Sequence, residues 1–143
     1  MRSPTVLLVG DNQDEREMYE ASLPLLSFVV HSIDNLANVR SALEQHNPAV
    51  LVLNLRLDDE MTWTLLEEAR CGSAFSVPGV LLTGSVRGDA ANRVRARANG
   101  CAAFVAKPCP PDALAAVLHA VLAGARDLIV MDPLRFASDH GTR

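Results

Sequence analysis

The sequence predicts a doubly wound α/β domain, a five-stranded parallel sheet with helices on both faces. Five apolar runs of strand length alternate with five segments of helical character, and such alternation joins parallel strands through helical crossovers. The runs are nearly continuous in Val, Leu and Ala rather than alternating, as strands buried on both faces require. The third run closes on Asn54, and the carboxyl ends of strands are where open α/β sheets do their chemistry.

Val6 to Val9 is the first strand. Asn12, with Glu15 three residues on, opens the first helix as a capping pair. Met18, Ala21, Ser22 and Leu25 share its face, and Pro24 ends or bends it. Ser27 to His31 is the second strand. Asp34 or Asn35 caps a helix with the apolar stripe Leu36, Val39 and Leu43, closed by Asn47-Pro48. The third strand runs from Ala49 to Asn54, and a polar loop through Asp58, Asp59 and Glu60 leads to a helix carrying Trp63, Leu66 and Ala69. Pro78 to Thr83 is the fourth strand. The fourth helix is rich in Ala and Arg, with Gly100 as its stop. Cys101 to Ala106 is the fifth strand, and Leu114, Val117, Leu118, Val121 and Leu122 fit an amphipathic helix. The domain is read as residues 1–124. The tail, 125–143, is expected to be partly docked or disordered: Leu128 to Met131 is apolar enough to dock on the domain or on a partner, and Ala137 to Arg143 has the look of a frayed end.

Composition narrows the function. With 143 residues, 49% of them apolar, the chain is long enough for one well-buried core. A net charge of −4 gives no general attraction to nucleic acid. Neither a signal peptide nor a membrane span is read, and Cys71, Cys101 and Cys109 show no CxxC pairing, so a cytoplasmic protein with reduced thiols is expected. His31, His46, His119 and His140 are scattered without metal-ligand spacing, His46 being read as a dipole-compensating residue at a helix end. No dinucleotide fingerprint or P-loop is present, and no enzymatic activity is expected.

The ordered landmarks resemble a response-regulator receiver domain over roughly residues 5 to 124. Val6-Leu7-Leu8-Val9-Gly10-Asp11 stands at the family's first strand and acidic pair, Asn54 at the phosphoacceptor, Thr83 at the phosphoryl-contacting hydroxyl, Phe104 at the switch aromatic, and Lys107-Pro108 at the lysine and its following proline, a bond often cis in the family. The resemblance implies a flavodoxin-like sheet of order 2-1-3-4-5. It also implies a pocket in which three carboxylates hold Mg²⁺ and one of them attacks phosphorus, while lysine and hydroxyl offset the developing charge. Here the first acid is Gly10 and the acceptor is Asn54, an amide and a poor nucleophile. Only Asp11 survives, so Mg²⁺ binding is expected to be weak or absent, with Asp11 and Asp58 as its weak candidates. Lys107 is expected to pair with Asp11 and to bond the Asn54 carbonyl. The loop 58–62 lacks the glycine usual after the acceptor strand.

The resulting expectation is an atypical, degenerate receiver (a pseudo-receiver) in bacterial two-component or phosphorelay signalling, acting by phosphorylation-independent protein–protein interaction. A histidine kinase or an effector is the expected kind of partner. Arg87, Arg93, Arg97 and Phe104 mark a candidate interaction face, which could also serve a homodimer built on the fourth helix, fifth strand and fifth helix. Three alternatives compete. The first is a phosphoryl acceptor using Asp11, Asp58 or Asp59. The second is a nucleic-acid-associated protein using the arginine helix, disfavoured because Arg95 does not share the face of Arg93 and Arg97. The third is a small-molecule sensor with a refitted pocket. Cys109, after Lys-Pro, is read as a small core filler, and Trp63 as packing its helix on the sheet.

Overall fold

The computed structural model describes residues 3–54, 63–65, 77–83 and 101–140. Its centre is a parallel sheet: β1 (Thr5–Gly10), β2 (Val29–Ile33), β3 (Val50–Asn54), β4 (Gly79–Thr83), β5 (Ala103–Ala106) and β6 (Leu128–Val130). The order is β2-β1-β3-β4-β5-β6. The expected order holds for the first five, but the five-strand count is corrected to six, because Leu128, Ile129 and Val130 pair in parallel with Ala103, Phe104 and Val105.

Strand residues sort by parity, as the two-residue period of a pleated strand dictates. Val6, Leu8, Val50, Val52, Val80, Leu82 and Val105 build one core with α1 (Gln13–Ser22) and α3 (Pro111–Leu122). Leu7, Val9, Leu51, Leu53, Leu81 and Phe104 build the other with Val39 and Leu43 of α2 (Val39–His46) and with Trp63 and Leu65. Trp63 is buried in that second core, as its packing role requires.

Local signals locate the ends. The Asn12 side chain accepts from the Glu15 N–H at 2.9 Å and starts α1. Pro24 ends it: Leu23–Leu26 tighten into a 3-10 turn, which Ser27 closes in the left-handed region at φ 74°. That turn shifts β2 two residues beyond the expected start. Asn35 caps a short 3-10 turn before α2, and Asn47 closes α2 at φ 46°.

Beyond β6 the chain continues into a further helix. Asp132 caps α4 (Pro133–Asp139) through the Arg135 N–H, and Phe136 and Ala137 pack against the first core. Ala137 to Asp139 is therefore helix rather than frayed end. Among the described residues no helix is long and apolar enough to cross a membrane.

Candidate functional site

The strand ends β1 and β3 meet side by side, with Gly10 and Asn54 as register partners. Both are buried. Asn54 is 3% exposed, and its Oδ1 has no hydrogen-bond partner among the described residues. A buried carbonyl left unmatched costs about 1–3 kcal/mol.

The end of β5 delivers Lys107, followed by a cis peptide bond to Pro108. Thr83 ends β4, in register with Ala106. The expected Lys107–Asp11 pair does not form. The ammonium bonds Glu15 instead, with Nζ 3.1 Å from Oε1 and 3.1 Å from Oε2, while Asp11 is exposed. The Asn12 cap fixes the Glu15 backbone at the start of α1, and from there the Glu15 side chain reaches the Lys107 ammonium. The expected bond from Lys107 to the Asn54 carbonyl is absent as well, which leaves that oxygen orphaned.

Sequence reasoning passed over Glu15 as a site residue, and passed over Arg16 altogether. The half-buried Arg16 donates from Nη1 to the Gly10 carbonyl at 2.6 Å. A Cβ added at Gly10 would meet Arg16 Cγ and the backbone carbonyl oxygen of Asn54 at 3.5 Å each, so the Arg16 stem lies beside the space an acid at position 10 would enter. The signal that could have found it is the pairing of a missing acid at Gly10 with a base one helical turn into α1.

The response regulator receiver domain family matches residues 6–119. The chain belongs to that family. Receivers are signalling modules of two-component systems and interact with histidine kinases or effectors. Among curated proteins, this receiver is 32% identical over 119 residues to the transcriptional regulatory protein GltR of Pseudomonas aeruginosa, covering 82% of this chain and 48% of that one. It is 31% identical over 121 residues to the response regulator Rre1 of Synechocystis, covering 83% and 52%. The chain thus spans about half the length of the curated relatives it matches. Among solved structures it resembles a LuxR-family two-component response regulator from Aurantimonas, with TM-score 0.76, 19% identity and 96% of each chain covered. It also resembles the chemotaxis response regulator CheY4 of Vibrio cholerae, with TM-score 0.71, 18% identity, and 82% and 98% covered.

The described residues of this receiver do not fit Mg²⁺ held in the family manner. That ion asks for several hard oxygen donors carrying negative charge. The pocket offers an exposed carboxylate at Asp11, a neutral amide at Asn54 and a guanidinium against Gly10. Among the described residues no three His, Cys, Asp or Glu are grouped to hold a metal. Asp58 and Asp59 lie outside the described residues.

Of the candidate interaction face, only Phe104 lies among the described residues. Phe104 is buried in the second core and cannot contribute contact area as it stands. The outer edge of β5 is paired with β6. Arg87, Arg93 and Arg97 lie outside the described residues. A cavity of about 580 Å³ lies away from the strand ends, between the 3-10 turn at Leu26, α3 at Ala116 and His119, and α4 at Leu134.

Neither described cysteine is a reactive centre. Burial pushes the Cys101 and Cys109 thiols up to about 12, and Cys109 fills core space beside Tyr19, whose hydroxyl donates to the Cys109 carbonyl at 2.6 Å. His46 does stand in the last turn of α2, where it also stacks on His31 with ring centroids 3.8 Å apart.

Proposed function

We propose that this receiver is a phosphorylation-independent signalling module that works by binding a protein partner through its surface, without enzymatic activity. The single observation carrying the reading is Asn54: buried at the acceptor position, uncharged, and with its carbonyl oxygen unmatched. An amide cannot serve as the carboxylate nucleophile that phosphoryl transfer to a receiver needs. Gly10 removes a second carboxylate beside it, and Lys107, the family's charge-neutralising base, is engaged by Glu15. A histidine kinase or an effector is the partner class, and a cytoplasmic setting follows from it.

The test is intact mass after incubation with Mg²⁺ and acetyl phosphate, on wild type beside Asn54→Asp and Gly10→Asp/Asn54→Asp. Wild type is expected to gain no phosphoryl group. A gain in the double variant would show that the scaffold is sound and only its acids are missing. A phosphoryl gain in wild type, mapped to Asp11, Asp58 or Asp59, would sink the proposal.

A further inference from the structure

Among the described residues the pocket lacks a metal's ligands and holds a cation of the chain's own. Gly10 has no side chain, and the Arg16 stem runs beside the space this leaves, its Cγ 3.5 Å from where a Cβ would stand. Nη1 is 2.6 Å from the Gly10 carbonyl oxygen. One strand over, in direct register with Gly10, sits the buried Asn54 whose side-chain oxygen has no donor among the described residues. We propose that the Arg16 guanidinium is the resident cation of this pocket and takes the place of a divalent metal. This rests on the phosphorylation-independent reading above and supplies a physical cause for it.

The charge balance supports the assignment. Glu15 and Arg16 are neighbours on α1 and reach opposite sides of the pocket: Glu15 holds the lysine after β5, and Arg16 holds the end of β1. Among the described residues, Asp11 and Glu15 bring two negative charges and Arg16 and Lys107 two positive ones. A divalent ion would enter a set already neutral and beside a fixed positive charge, whereas the family pocket draws it in with an excess of carboxylates. A guanidinium never loses its charge in a protein and carries five donors on a rigid fork. The strand end therefore keeps a fixed cation without any metal in solution.

The experiment compares Mg²⁺ binding by calorimetry in wild type, Gly10→Asp/Asn54→Asp, and that double variant with Arg16→Gln added. Wild type is expected to give no saturable heat at millimolar Mg²⁺. The double variant should bind weakly, and removing Arg16 from it should tighten binding by about tenfold or more. Equal affinity with and without Arg16 would overturn the proposal. A second measurement is Mn²⁺ broadening of the backbone amide resonances at positions 10 and 54, expected to be weak in the double variant and stronger once Arg16→Gln is added to it. Saturable broadening in wild type would overturn the proposal too. The two readings fail separately, since a phosphoryl gain in wild type defeats the functional one, whereas metal affinity indifferent to Arg16 defeats this one alone.

Discussion

Tyr19 joins α1 to the turn after β5 through one bond, from its hydroxyl to the Cys109 carbonyl at 2.6 Å in the core. Tyr19→Phe leaves that carbonyl unpaired, so urea unfolding is expected to show a loss of about 1–2 kcal/mol. The same core protects thiols. Folded Cys101 and Cys109 ionise near 12 against an ordinary value of 9.0. The folded state thus holds those protons more tightly, and stability is retained below about pH 9 and lost as pH rises toward 12. Denaturant midpoints at pH 8 and pH 10.5 should show that fall, with a smaller drop in Cys101→Ala. At pH 8, peptide mapping after iodoacetamide should find Cys101 and Cys109 unmodified until denaturant is added. The Glu15–Lys107 pair differs: both side chains are about a quarter to a third exposed, so Glu15→Gln is expected to cost less than about 1 kcal/mol and to matter less at high salt.

At the scale of elements, strands β1, β3 and β4 were legible because burial on both faces writes a nearly unbroken apolar run, and helix starts were legible because Asn12 and Asn35 are side-chain caps. The sixth strand was legible only as a sticky segment. It has three residues, and Ile129 is 39% exposed, so its sequence does not separate pairing with β5 from docking on a partner. Val130 decides the matter, since it is buried in the first core at the strand's end. Val130→Ala is expected to lower stability by roughly 1–3 kcal/mol, read by thermal unfolding. Of the site, Gly10 and Asn54 were legible as departures from a pattern, whereas the partners of Lys107 and Gly10 were not. Lys107 and Glu15 are 92 residues apart in the chain, and only the folded β5 end brings them together. Arg16 reads in sequence as one more charge on a helix until the empty side of Gly10 is seen to face it.

Across the whole molecule, both cores are built on the same central strands, since β1 and β3 each contribute alternate residues to either face. Local opening that spares the domain cannot free them, so their amides should exchange most slowly in native-state hydrogen exchange, and those of β2 and β6 at the sheet edges faster. The placement of β6 also bears on anyone who would graft this receiver onto another output module. The family match ends at residue 119, inside α3, while the sheet and its packing continue through Asp139. A chimera joined at the homology limit would sever a helix, leave the β5 edge unpaired and uncover the α3 surface on which α4 rests. The workable seam lies after His140, some twenty residues beyond where sequence similarity alone would place it.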